Sequence, residues 1–396
     1  MRREVVLGVA ALIIIALLAV GVIKLYLATQ QPQTTQTTPT TTTQSSTSPS
    51  TTTTPQQTTT QGSNGSITVI DALGRKVTLP HVAQRVVVTD DEVAELVQLL
   101  GAADKVVGIE PSIKTRGYFP QMADKPVTGS QFRGLNYELL MKLKPDVVIM
   151  MDVGPVGKII DKLNKIGVKC VVISIDPAKI PQTLKILGKI LGKEERAEAA
   201  IKWWNQKWAE LEERLAPLKG RPKLKVFVGM GFAPSKKLPL HTWGQLAKWN
   251  YILDKLNMVN IAASKLRAHG EVDEEFVAEE NPDIIIIGDW SDNWVGYTKN
   301  TTALARAMIQ NVLNDPALKD VKAVKEHHVY VMHYVMLGSF RSVIGAYYLA
   351  KAAYPNLMKG IDPDQIQKEY FEEWLGVPYK GVWFYPEPWN STSTGG

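Results

Sequence analysis

Eight side chains in this 396-residue chain have the chemistry to hold a small molecule: Asp90, Phe132, Arg133, Trp243, Trp290, His333, Tyr334 and Arg341. The aromatic residues offer flat apolar surface with a polar edge, and each guanidinium offers a rigid fork for carboxylate or oxyanion groups. That mixture suits a bulky, planar or anionic metal complex. No catalytic constellation accompanies it. His-Glu-x-x-His, a Gly-x-Ser-x-Gly elbow, a Walker loop and Gly-x-Gly-x-x-Gly after a strand are all missing, and GMGFAPS lacks the third glycine of a phosphate loop. A bare transition-metal site would draw on histidines and carboxylates. The histidines are His81, His241, His269, His327, His328 and His333, with none between Arg85 and Ile180. No catalytic residue and no protein metal site is therefore expected.

The eight residues follow short apolar runs. Asp90 closes VVVTD, Trp290 follows DIIIIGD, and His333-Tyr334 follow VYVM. Continuous apolar strands alternating with helical periodicity predict a parallel sheet covered on both faces. In such sheets ligands bind beyond the carboxyl ends of the strands, which is where these residues fall. The pattern also repeats. Glu138-LLMKLKPDVVIMM-Asp152 and Glu275-FVAEENPDIIIIG-Asp289 share a glutamate, Pro-Asp seven residues later, an aliphatic run and a closing aspartate, all offset by 137 residues. Two lobes on one plan are expected, over 67–180 and 219–396, the second ending in an aromatic tail. Residues 181–218, containing KEERAEAAIKWWNQKWAELEERL, predict one long helix joining them, docked by Trp204, Trp208 and Leu211. The fold class is α/β, with two similar lobes, each a mostly parallel sheet flanked by helices.

Composition sets the remaining bounds. The chain is 45% hydrophobic and 21% charged with a net charge of +6, and no basic run interleaved with aromatics points to nucleic acid. The single cysteine, Cys170, cannot form an internal disulfide. Val5 to Leu27 is apolar apart from Lys24, long enough to cross a hydrocarbon layer of ~30 Å. Arg2 and Arg3 precede it, which places the N-terminus inside and the rest outside. Residues 1–28 are read as a single-pass anchor in the cell membrane. A cleaved signal peptide is the competing reading, but Tyr26 stands where a small residue would precede cleavage after Ala28. Residues 29–66 are rich in Thr, Ser, Pro and Gln and are read as a disordered stalk carrying an extracellular ectodomain.

The opening DALGRKVTLPHVAQRVVV, the repeated Glu-x6-Pro-Asp units and the connecting helix resemble the periplasmic binding proteins of ABC importers whose lobes are joined by one long helix. The resemblance covers 67 to about 389, and the anchor and Thr-rich stalk give it an archaeal character. It implies a solute-binding subunit without a cofactor, delivering a metal chelate to a permease dimer with its ATPase subunits. An iron complex of the siderophore kind ranks first, with cobalamin, haem and molybdate- or tungstate-type oxyanions as alternatives. A stalked surface receptor and an extracellular hydrolase are the readings from other classes. The resemblance also implies that Glu138 and Glu275, one on the rim of each lobe, dock into arginine pockets on the permease. A carboxylate is favourable at a helix start and gives arginine a bidentate partner.

Overall fold

The computed structural model describes residues 65–231, 237–290 and 292–389. The expected anchor, and the stalk up to residue 64, lie outside the described residues. Among the described residues no helix is long and apolar enough to cross a membrane.

The described residues open with a hairpin of β1 (Ile67–Ile70) and antiparallel β2 (Lys76–Leu79). Its turn is organised by Asp71, whose carboxylate accepts from the backbone N–H groups of Leu73 and Arg75, and from that of Val172 in the neighbouring sheet. The first lobe is built on β3 (Val86–Val88), β4 (Val106–Gly108), β7 (Val147–Met151) and β8 (Cys170–Ile173), in the order β4-β3-β7-β8, all parallel. Helix α1 (Asp91–Leu99) follows β3, a small ladder of β5 (Gly129–Ser130) and β6 (Gly134–Leu135) leads into α2 (Tyr137–Leu143), and α3 (Val156–Lys165) follows β7.

The expected single connector over 181–218 is two helices, α4 (Ile180–Leu191) and α5 (Glu194–Leu215), followed by a short 3₁₀ turn at Ala216–Leu218. Gly192 causes the break. Its φ of +64° ends α4 in a left-handed cap, and a side chain there would meet Val82. Only α5, 22 residues and about 33 Å long, serves as the strut. Trp203, Trp204, Trp208 and Leu211 lie on its buried stripe.

The second lobe repeats the design with β9 (Leu224–Gly231), β11 (Met258–Asn260), β13 (Ile284–Asp289) and β14 (Val329–His333) parallel in the order β11-β9-β13-β14; β15 (Phe384–Tyr385) adds an antiparallel edge. A hairpin of β10 (His241–Trp243) and β12 (His269–Glu271) lies between, with α6 (Asn250–Lys255) inside it. Helices α7 (Glu274–Glu280), α8 (Ala303–Leu313), α9 (Lys322–Lys325), α10 (Ser342–Ala353) and α11 (Pro363–Glu369) complete the lobe.

Alternation along the strands sorts their side chains into two environments. Val87, Val148 and Met150 join a core private to the first lobe, and Phe227, Ile285 and Ile287 one private to the second. The opposite faces behave differently: Val86, Val88 and Ile149 belong to the same apolar cluster as Val226, Val228 and Ile286, through the tryptophans of α5 and the buried α10. The two sheets are separate, yet their inner faces share one core.

Candidate functional site

The 137-residue repeat is a structural repeat. Asn136 caps α2 by accepting from Leu139 N–H, and Asp273 caps α7 by accepting from Phe276 N–H. Glu138 and Glu275 each stand two residues after their cap, exposed, in the first turn. Both helices stop on a left-handed residue, Lys144 at φ 47° and Asn281 at φ 48°. The Pro-Asp that follows ties each helix to its sheet. Asp146 Oδ2 accepts from the N–H groups of Gln84 and Arg85, and Asp283 Oδ2 accepts from Lys225 N–H. Glu274 is paired with Lys237 at 3.1 Å, which leaves Glu275 as the counterpart of Glu138.

The repeat diverges at the strand ends. Asp152 is half-buried and forms an ion pair with Lys248 of the second lobe at 3.3 Å. Asp289 is fully buried and accepts from the N–H groups of Asn293, Trp294 and Val295, so it shapes a turn.

At the end of β14 the structure brings several predicted residues together. Tyr334 stacks on Trp290 with ring centroids 3.6 Å apart, and Trp249 meets Tyr334 edge-on. Burial pushes the Tyr334 hydroxyl upward, helped by the charges of Glu92 and Asp90 from the first lobe. Asp90 caps α1 by accepting from Glu92 N–H at 3.0 Å, and burial together with the charges of Asp91 and Glu92 holds its carboxyl well above the usual range. His333 is fully buried. Its Nδ1 accepts from Val335 N–H, so the proton is assigned to Nε2, which donates to Asp292 Oδ1 at 2.5 Å.

The other predicted residues lie elsewhere. Phe132 is exposed and lies across Gly154, whose positive φ and missing side chain leave room for the ring. Arg133, next to it, is exposed. Trp243 is half-buried in the β10–β12 hairpin, against the His269 ring, and its carbonyl accepts from Asn260. Arg341 is not on an open loop. It is 1% exposed and held bidentately by Glu95 of α1, among the rings of Tyr118, Tyr370, Phe371 and Trp383.

Sequence reasoning missed the charges that join the lobes. Arg116 sits 2.7 Å from Asp91 of its own lobe and 2.6 Å from Asp292 of the other. Burial opposes ionisation of Asp292, but the His333 hydrogen bond and the charge of Arg116 prevail and hold it down at about 2. Together with Glu95–Arg341, Asp152–Lys248 and a backbone bond from Ser339 N–H to the Ile175 carbonyl, this pairing closes the lobes over the strand ends. The signal was present in DDEVAE, which places three carboxylates on one short helix and a fourth at its cap, directly after a strand. Among the described residues no group of three or more His, Cys, Asp or Glu could hold a metal ion.

Two parallel α/β sheets, an α-helical strut and paired rim carboxylates describe a solute receptor. Residues 86–335 match the model of the periplasmic binding protein family, and the chain belongs to that family. It is a solute-binding protein of an ABC transporter, not an enzyme, and such proteins carry their cargo as a ligand and work with a permease and an ATPase. It is similar to the molybdate-binding protein MolA of Haemophilus influenzae, 21% identical over 79% of this chain and 92% of that protein. It is also similar to the uncharacterized substrate-binding lipoprotein YvrC of Bacillus subtilis, 23% identical over 74% of this chain and 87% of that one. In fold it matches the TroA-like protein FepB of Veillonella parvula, with a TM-score of 0.68 and 24% identity over 80% of this chain and 99% of the other. Molybdate-bound MolA matches with a TM-score of 0.66 and 21% identity over 79% and 99%. CeuE of Helicobacter pylori with a nickel–histidine complex matches with a TM-score of 0.62 and 24% identity over 79% and 96%.

Proposed function

We propose that this chain is an extracellular receptor, tethered to the cell membrane by residues 1–28 and a stalk over 29–66, that captures an organic metal chelate for import. A ferric complex of the siderophore kind is the leading cargo. The observation carrying this reading is the state of the cations at the strand ends. Arg116, Lys248 and Arg341 are each already engaged by a carboxylate. A buried oxyanion needs uncommitted cations around it, whereas the Trp290–Tyr334 stack offers aromatic surface. Solved relatives in this fold hold either molybdate or nickel–histidine, so the choice rests on this chain's own side chains.

In this reading Trp290 and Tyr334 receive the ligand, with Asp90 at the floor and Phe132, Arg133 and Trp243 at the mouth. His333 and Arg341 act one step back, through Asp292 and Glu95 respectively. Glu138 and Glu275 dock the receptor on its permease.

The test is a titration of the purified protein with ferric chelates, cobalamin, haem, molybdate and tungstate, read by tryptophan emission. All ten tryptophans lie at or beyond Trp203, seven of them in the second lobe, so that lobe dominates the signal. Saturable one-to-one binding of a ferric chelate is expected, with Trp290→Ala weakening it at least tenfold. Capture of molybdate or tungstate alone would overturn the chelate reading in favour of the oxyanion one.

A further inference from the structure

Once the ion pairs at the lobe junction are counted, one carboxyl of α1 is left over. Asp91 faces Arg116, Glu95 faces Arg341 and Asp152 faces Lys248. Glu92, on the same turn of α1, is 9% exposed, and its carboxyl has no hydrogen-bond or ion-pair partner among the described residues; Oε2 is wholly shut off from solvent. A buried carboxyl without a partner is costly, and its neighbours make matters worse. Burial first, then the negative charges of Asp91 and Glu95, push the group up to about 8, against the pull of Lys248 and Arg341. Asp90 and the Tyr334 hydroxyl also feel the charge of Glu92.

A second unsatisfied group lies against Tyr334, whose hydroxyl feels the charge of Glu92. Trp249, 1% exposed and edge-on to Tyr334, has an indole N–H with no acceptor. Tyr334, Trp290 and Lys248 around it are only half-buried, so solvent and a ligand reach the edge of this corner. The corner therefore combines a stacking surface, an idle donor and an idle carboxyl, with every nearby cation taken.

We propose that Glu92 is a specificity-determining residue that accepts hydrogen bonds from a protonated amine on the cargo, so that the receptor selects metal chelates bearing a pendant ammonium group. This rests on the chelate reading above. The ammonium supplies the charge that Arg116, Lys248 and Arg341 cannot, and it sits beside the Trp290–Tyr334 stack, where the chelate body lies. Taking up a cation requires Glu92 to release its proton, so capture of the ammonium form strengthens as pH rises from 6 to 8.

Ferrioxamine B carries one pendant ammonium, and its N-acetylated form is the same ferric chelate without it. Both are titrated into the full-length protein and into Glu92→Gln, with thermal unfolding confirming that the variant folds. The expected result is at least tenfold tighter binding of the ammonium form by the native protein, with the ratio falling to near one in Glu92→Gln. A structural role for Glu92 would weaken both probes alike and leave the ratio intact. Equal affinity of the native protein for the two probes, or an unchanged ratio in Glu92→Gln, overturns the proposal while the chelate reading stands. Binding of neither probe alongside capture of an oxyanion overturns both.

Discussion

The two lobes agree at the rim and part company at the strand ends. In both, an Asn or Asp cap starts the rim helix, a left-handed residue ends it, and Pro-Asp ties it to the sheet. Six residues beyond that aspartate, Asp152 reaches across to Lys248, whereas Asp289 turns inward to three backbone donors. In the reading proposed above, the shared part meets a partner that must engage both lobes alike, and the divergent part meets one asymmetric occupant.

The sharpest test of the shared part is Glu138→Ala with Glu275→Ala. Ligand affinity should stay within a factor of two while uptake, in cells carrying the permease and ATPase, falls to background. Each single change should give a comparable partial loss; one lobe carrying the whole effect would break the symmetry. Next in size is the caged pair. Glu95→Ala leaves Arg341 buried without a counterion and should cost about 3–5 kcal/mol in denaturant unfolding. The strand ends should then separate clearly. Asp289→Ala removes a charged acceptor from three buried N–H groups and should cost about 2–3 kcal/mol, while Asp152→Ala removes a half-exposed pair and should cost about 0–1 kcal/mol. Equal losses would mean that the two aspartates do the same work. The smallest effects belong to the caps: Asn136→Ala and Asp273→Ala should each cost about 1 kcal/mol.

Acid and base should act on the interlobe face in opposite directions. Asp292, depressed to about 2, adds stability that is present above the carboxylate's unfolded value near 4 and is lost as pH falls toward 2. Glu92, raised to about 8, keeps a proton that the unfolded chain releases, so its contribution declines as pH rises from about 4.5 to 8. A pH series of unfolding midpoints should show the second slope disappear in Glu92→Gln and persist in Asp292→Asn.

Much of this was legible because it is local. Runs such as VVIMM and IIIIGD are too apolar for anything but buried parallel strands, and the 137-residue offset marked the rim helices. The strut was misjudged at one residue, since Gly192 inside otherwise helical sequence carries no mark of whether it caps or continues. The interlobe charges were beyond reach for a different reason. Arg116 and Asp292 are 176 residues apart, and only the folded chain reveals that Arg341 finds Glu95 and not solvent. Nothing in a linear reading distinguishes Glu92, which is left idle, from Asp91 and Glu95, which are occupied.

The common inner core has a mechanical consequence. Prising the jaws apart by a wide angle would wet a seam running from β3 through the α5 tryptophans to α10, so the clamp is stiff. Cargo must be recognised by a mould already close to its final shape, and the importer must draw it out through small adjustments at the lip.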